Sequence, residues 1–124
     1  MRAACIVILA SAPALAQDVT VPSGLDVALF DVVLEDDTGT ARFRFHAPAL
    51  GGPDAPTFSD VVPDFQYLCD SLAIPGLAAN GWAAKDIVIS MSAEEVEFGA
   101  IAAEVAQFFQ PFRVENDTCI WEDF

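Results

Sequence analysis

A single amphipathic stretch, from Phe58 to Ile74, constrains the fold of this chain more than any other. Its apolar side chains recur at the spacing of an α-helix and form one stripe along it, whereas its polar side chains fall outside the stripe. The stripe consists of Val61, Phe65, Leu68, Cys69 and Leu72, and the polar set of Asp60, Asp64, Gln66 and Asp70. The pattern predicts a helix with one buried face and places a cysteine on that face.

The residues around this stretch indicate where the helix begins and ends. Thr57 followed by Asp60 matches a capping box, in which each side chain accepts a hydrogen bond from the other residue's backbone. Pro63 is compatible with the first helical turn, where the missing N–H of a proline is tolerated. The dipeptide Pro75-Gly76 predicts the end of the helix, and residues 77–84 are then expected to be irregular.

Two apolar runs before the helix predict a β-hairpin. The first extends from Leu25 to Glu35 and the second from Ala41 to Ala47, with turn-forming residues at positions 36–39 between them. Strict alternation would place four residues of the first run on one face: Ala28, Phe30, Val32 and Leu34. In the second run an apolar set alternates with a polar set: Ala41, Phe43, Phe45 and Ala47 against Arg42, Arg44 and His46.

Further strands and one short helix are predicted after the central helix. The strands are Lys85–Ser92, Val96–Phe98, Phe112–Glu115 and Thr118–Glu122. The last two flank Asn116-Asp117, a two-residue hairpin turn that also matches a glycosylation sequon with Thr118 and is interpreted as a turn. Residues 100–110 have apolar side chains at helical spacing, which predicts a short helix ended by Pro111.

Cys69 and Cys119 are expected to form a disulfide. Cys69 lies on the helix stripe, and Cys119 shares one side of the last strand with Trp121. Both periodicities therefore point the sulfurs toward the core. The chain has three cysteines, and removal of residues 1–16 as an export signal would take away Cys5 and leave two. An even cysteine count in an exported protein indicates a disulfide rather than a metal or redox pair. The predicted fold is α+β, an antiparallel β-sheet packed against one main α-helix, with the disulfide between the helix and the last strand.

The first sixteen residues have the composition of a secretory signal peptide. Arg2 supplies the positive charge, Ala3–Ala12 the apolar region, and Ala14-Leu15-Ala16 the small-residue cleavage box. Cleavage there would remove Cys5 and leave residues 17–124 as one small domain in the periplasm or outside the cell. The apolar region is shorter than the roughly 20 residues that a spanning helix needs, so no membrane span is predicted.

The charge balance limits the partners. The chain has 19 acidic and five basic residues, for a net charge of −14, which the loss of Arg2 takes to −15. Binding to DNA typically uses about six to ten phosphate contacts, whereas the mature chain offers four cations: Arg42, Arg44, Lys85 and Arg113. We therefore expect a monomer whose protein or small-molecule partner is neutral or cationic, and neither nucleic acid nor an anionic membrane.

No catalytic, metal or cofactor site is predicted. His46, the single histidine, follows Arg42 and Arg44 on a polar strand face, which favours a solvated side chain near Asp31 or Glu35. The arginines are expected to pair with the same two acids. No serine stands in a G-x-S-x-G turn, no D-x-D-x-D-G calcium loop occurs, and nothing singles out two of the carboxylates as a glycosidase pair.

Trp82 is the candidate partner contact. A tryptophan in a predicted irregular segment can anchor a partner, although we favour a role as the cover of a small core. Among the crowded Phe108, Phe109 and Phe112, one is expected to be exposed.

Three segments carry a resemblance to a known family: DFQYLCDSLAIPG, DIVISMS followed by VEFG, and FRVENDTCIWEDF. With the export signal, they resemble a family of small exported proteins from alphaproteobacteria classed as a domain of unknown function. The likeness covers most of the mature chain and implies the same cysteine pair, Cys69 and Cys119. Some members carry the label acetolactate synthase, which the residues here oppose, because no motif of a thiamine diphosphate site occurs.

These observations favour a non-enzymatic accessory or binding module in the periplasm. The alternative is a small periplasmic hydrolase that uses His46 or a pair of carboxylates. A pocket with convergent titratable groups would indicate the enzyme, and an apolar patch or groove would indicate the binding module.

Overall fold

The computed structural model describes residues 17–123. The predicted signal peptide, residues 1–16, lies outside the described residues. The described chain forms one six-stranded sheet whose strand order follows the sequence. The strands are β1 (Gln17–Val19), β2 (Val27–Glu35), β3 (Thr40–His46), β4 (Asp86–Ser92), β5 (Gln107–Glu115) and β6 (Thr118–Trp121). No helix among the described residues is long and apolar enough to cross a membrane.

The α+β prediction is confirmed, with one refinement in the direction of the strands. Every neighbouring pair is antiparallel except β3 and β4, which are parallel. The central helix connects these two strands, because a parallel pair requires a long crossover that returns the chain to the starting end of the sheet. The helix thereby covers one face of the sheet, here called the inner face.

The helical segment is longer than predicted and changes character along its length. It consists of α1 (Phe58–Leu68), a π-helical turn (Cys69–Ala73) and α2 (Ile74–Ala79). Pro75 does not end the helix, because it occupies the first turn of α2, directly after the wider π turn. The extension buries Leu77. The prediction that Pro63 lies in the first turn is also wrong, because Pro63 lies in the second turn of α1.

The helix stripe forms the core with one unexpected member. Val61, Phe65, Leu68 and Cys69 are fully buried against the apolar side chains of β3, β4 and β5. Asp64, predicted to lie off the stripe, is also fully buried. The Ser23 backbone N–H and hydroxyl donate to the two carboxylate oxygens of Asp64 at 2.9 and 2.6 Å, so the β1–β2 loop satisfies this carboxylate.

The predicted capping box is present at the start of α1. The Thr57 backbone N–H donates to the Asp60 carboxylate at 2.8 Å, and the Asp60 backbone N–H donates to the Thr57 hydroxyl. The bond from the Thr57 backbone lowers the pKa of Asp60. Asp60 therefore stabilises the fold above its unfolded-state pKa, and this contribution is lost as the pH falls through its lower folded-state pKa.

We expect Thr57→Ala to lower the free energy of unfolding by about 0.5–2 kcal/mol, the usual effect of losing an N-cap side chain. Urea unfolding at neutral pH measures this loss, with Ser59→Ala, an exposed neighbour in the first turn, as the control. Asp60→Asn should be less stable than the wild type above about pH 4, and the difference should shrink below it. A difference that grows as the pH falls would contradict the assigned role of Asp60.

A β-bulge changes the faces predicted for β2. Both Phe30 and Asp31 lie opposite Arg44, because the register shifts between Leu29 and Asp31. Beyond the bulge, Val32 pairs with Phe43 on the inner face, whereas Phe30 contacts Arg44 on the opposite face. Phe30 and Val32 therefore do not share a face, contrary to the strict alternation expected.

The region between β4 and β5 differs most from the prediction. Residues 96–98 form no strand, and the predicted helix 100–110 is replaced by the irregular end of a connection and the first residues of β5. Pairing with β4 outweighs the helical pattern, because Gln110 and Phe112 are buried beside Ile89 and Ile87. Pro111 lies beyond the part of β5 that pairs with β6. Its carbonyl accepts a hydrogen bond from the backbone N–H of Glu122.

The hairpin turns and the disulfide agree with prediction. Asn116 and Asp117 have φ values of +52° and +58°, as a two-residue hairpin turn requires. The Cys69–Cys119 disulfide joins the π turn to β6 across a Cα–Cα distance of 6.1 Å. Asp70 accepts from the Cys119 backbone N–H at 2.8 Å, and Gln66 donates to the Cys119 carbonyl at 2.9 Å. The helix thus satisfies backbone groups on the edge strand.

Candidate functional site

The face of the sheet opposite the helix, here called the outer face, carries a groove. Its floor consists of side chains that the strand register places on this face, and its roof is the β4–β5 connection, residues 93–106. The groove has a volume of about 250 Å³. The floor residues are Arg42, Arg44, Val88, Ser90, Ser92, Gln107 and Phe109, and the roof residues are Val96, Glu97, Phe98, Gly99 and Ala100.

Two arginines hold the roof onto the floor. Arg42 pairs with Glu35 at 3.2 Å and Arg44 with Asp31 at 2.6 Å, which confirms the pairing expected from the sequence. Arg44 also donates to the backbone carbonyl of Val96. The Phe98 ring lies over both guanidinium groups, 5.9 Å from Arg42 and 5.4 Å from Arg44. The groove is therefore preformed, and its cations are already neutralised.

The groove combines exposed aromatic side chains with a buried hydroxyl. Phe98 and Phe109 are 48% and 49% exposed, and Ile101 in the same connection is 97% exposed. Ser90 is 9% exposed, and its hydroxyl has no hydrogen-bond partner among residues 17–123. Its neighbour Ser92 differs, because that hydroxyl donates to the Glu94 carbonyl at 2.7 Å. Ser90 therefore presents an unused polar group to the cleft.

Among residues 17–123, His46 forms no catalytic triad. Its Nε2 donates to the Ala93 carbonyl at 3.0 Å, and its Nδ1 lies 3.9 Å from the carboxylate of Glu95. Ser92 lies beside His46 on the adjacent strand, but its hydroxyl donates to a backbone carbonyl and forms no hydrogen bond to the imidazole. The geometry lacks the serine-to-histidine bond that would activate a nucleophile.

Trp82 lies on the other side of the sheet, at the far end of the helix. It packs against the core, and its indole N–H donates to Asp36 at 3.2 Å. It also lines a cleft of about 290 Å³ between α2 and the β5–β6 turn. These contacts agree with the predicted role of Trp82 as the cover of a small core. The role of Trp82 as a partner contact stays a prediction.

Two other site predictions concern the acidic residues and the phenylalanines. The part of the chain that the structure describes contains no group of three or more His, Cys, Asp or Glu side chains placed to hold a metal ion. Of the three crowded phenylalanines, Phe109 is exposed, Phe108 packs on Phe58, and Phe112 is fully buried.

The outer-face groove was not predicted from the sequence. Because residues 100–110 were predicted to be helical, Gln107 and Phe109 were not expected in the sheet. Their part of the groove floor therefore could not be recognised. The alternation of Ser90 and Ser92 with buried apolar residues is the signal that could have found the floor, since it marks a polar face on a central strand.

Comparison with known proteins identifies the family. No curated protein matches the chain significantly, and no solved structure does so either. The family model described as "Family of unknown function (DUF6497)" matches residues 5–124. This match confirms the resemblance to a family classed as a domain of unknown function. The chain therefore belongs to this family of unknown function.

Proposed function

We propose that this protein is an exported, non-enzymatic binding module whose ligand or partner is neutral or cationic. The observation that carries the proposal is the pair of half-exposed aromatic rings, Phe98 and Phe109, that line one preformed groove. A cleft with exposed aromatic walls in a chain of net charge −14 indicates a binding surface. His46, by contrast, is engaged by a backbone carbonyl.

The disulfide supports export. Disulfides persist in the periplasm and outside the cell and are rare in the reducing cytosol. Cys69 is fully buried and Cys119 nearly so, which is typical of a structural bridge. The bridge and the signal-like residues 1–16 together support export, and the cleavage box Ala14-Leu15-Ala16 predicts a mature chain that starts at Gln17.

Protein purified from a bacterial periplasm tests the binding function. N-terminal sequencing should begin at Gln17, and native mass spectrometry should show a bound protein or small molecule. We expect the bound mass to be lost in the Phe98→Ala/Phe109→Ala variant and retained in Tyr67→Ala, a matched exposed aromatic on the helix. A bound mass that all three proteins retain would refute a role for the groove, and a mature chain that starts at Met1 would refute export.

A hydrolase remains the second candidate because Ser92 and His46 are neighbours on adjacent strands. We expect the wild type and His46→Gln to release p-nitrophenol from p-nitrophenyl acetate at the same rate. If the wild type hydrolysed the ester and both His46→Gln and Ser92→Ala abolished this activity, the hydrolase would replace the binding module as the favoured function.

The partner's charge class can be tested separately. The three arginines in the described residues are paired with carboxylates, with Arg113 contacting Glu115 and Glu122. We therefore expect no binding to DNA or heparin, and weak binding to cationic lysozyme that declines between low and physiological salt. Salt-sensitive binding to DNA would contradict the charge argument.

A further inference from the structure

We propose that the outer-face groove is a binding site for a small neutral molecule with a flat apolar body and one hydrogen-bonding group. This inference rests on the proposed binding function and specifies the chemistry of its ligand. Three properties of the groove carry it: the shape of its walls, the hydroxyl of Ser90 and the arrangement of charges.

The walls suit a flat apolar body. Phe98 on the roof and Phe109 on the floor contribute aromatic surface, and Val88 and Val96 add aliphatic surface. An engineered apolar cavity of about 150 Å³ binds benzene, so the volume of about 250 Å³ here accommodates one ring with a short substituent. Gly99, with φ of +83°, lets the connection turn over the groove.

The hydrogen-bonding group is specified by the floor. Ser90 as a whole residue is 9% exposed, and its hydroxyl lacks a hydrogen-bond partner among the described residues. A buried hydroxyl without a partner is unfavourable, and a ligand group that bonds to it gains this lost energy. Gln107 lies on the same face, two residues from Phe109, and offers an amide to the same ligand group.

The charges select a neutral ligand. An anion would meet arginines that are already bound to Asp31 and Glu35, with Glu97 as a further acid on the roof. A cation would lie close to the same two guanidinium groups, which already lie over the Phe98 ring. A neutral molecule avoids both repulsions and leaves the ion pairs intact.

Three probes with one ring test the inference: benzyl alcohol, benzylamine and benzoate, each titrated into the ¹⁵N-labelled mature protein. We expect benzyl alcohol to shift the amide resonances of Ser90, Phe98, Gln107 and Phe109 in a saturable manner. Benzylamine and benzoate should bind at least several-fold more weakly. Saturation by benzoate at lower concentration than benzyl alcohol would overturn the neutral ligand class.

Variants locate the site and separate its parts. Ser90→Ala should weaken benzyl alcohol binding by roughly three- to tenfold through loss of one hydrogen bond, whereas Ser71→Ala on the exposed helix side should not. Toluene, which lacks the hydroxyl, should bind the wild type and Ser90→Ala equally. Equal effects of both serine variants on benzyl alcohol would overturn the role of Ser90.

The outcomes also separate this inference from the proposed function. Saturable shifts confined to the cleft beside Trp82, or none at the groove with any probe, would overturn the small-molecule site. If native mass spectrometry then showed a bound protein that the Phe98→Ala/Phe109→Ala variant loses, this result would still support a binding module. Turnover that depends on His46 would instead overturn the proposed function.

Discussion

The double variant Cys69→Ala/Cys119→Ala is expected to lose about 2–5 kcal/mol of unfolding free energy. The disulfide spans 50 residues of sequence, and a loop of that length corresponds to about 4 kcal/mol of lost chain entropy in the unfolded state. The bridge also positions Cys119, whose backbone groups are bonded by Gln66 and Asp70. Urea unfolding at neutral pH measures the loss.

Reduction supplies the control for this prediction. Dithiothreitol should lower the stability of the wild type toward that of the double variant and leave the variant unchanged. Because both sulfurs are buried, we expect reduction of the native protein to be slow and to require partial unfolding. If the reduced and oxidised wild-type proteins unfolded at the same urea concentration, the bridge would not be structural.

Asp64→Ala is expected to cost about 2–4 kcal/mol. Asp64 is fully buried and accepts two hydrogen bonds from Ser23, and a bond to a charged group contributes about 1.5–3 kcal/mol. The loss should fall below the sum of two such bonds, because Ser23 is exposed and its donors can turn to water. The measurement is urea unfolding of the wild type and the variant.

A double-mutant cycle isolates the contact between the helix and the β1–β2 loop. Ser23→Ala keeps the backbone bond to Asp64 but removes the hydroxyl bond to it, together with the bond that this hydroxyl accepts from the Leu25 backbone N–H, and should cost about 1–2 kcal/mol. In the Asp64→Ala background the same change should cost clearly less, since only the exposed bond from the Leu25 backbone N–H is then lost. Additive losses from the two substitutions would show that Asp64 stabilises the fold through other contacts.

Sequence patterns predicted well those elements whose signals lie within a few residues. The Thr57–Asp60 capping box and the Asn116-Asp117 turn depend on neighbouring backbone groups, and both are present. The cysteine pair could be predicted although its members are distant, because only one partner remains for Cys69 once the signal peptide is excluded.

The errors occur where partners distant in sequence outweigh a local preference. Residues 107–110 match helical spacing, yet they pair with β4 because that pairing buries Gln110 and continues a sheet already formed by β3 and β4. Asp64 lies outside the predicted apolar stripe, and its burial depends on Ser23, 41 positions earlier. Neither contact is encoded in the residues adjacent to it.

By itself, the sequence determined the helix with its buried face, the turns, the disulfide and the exclusion of common catalytic motifs, because each follows from spacing, composition or a unique pairing. The tertiary structure alone decided where the groove lies. Its floor joins Arg42, Ser90 and Phe109 from three strands, and its roof is held by the bond from Arg44 to Val96, 52 residues away. A site built from such distant residues forms only when the strand register and the path of the connection are set together.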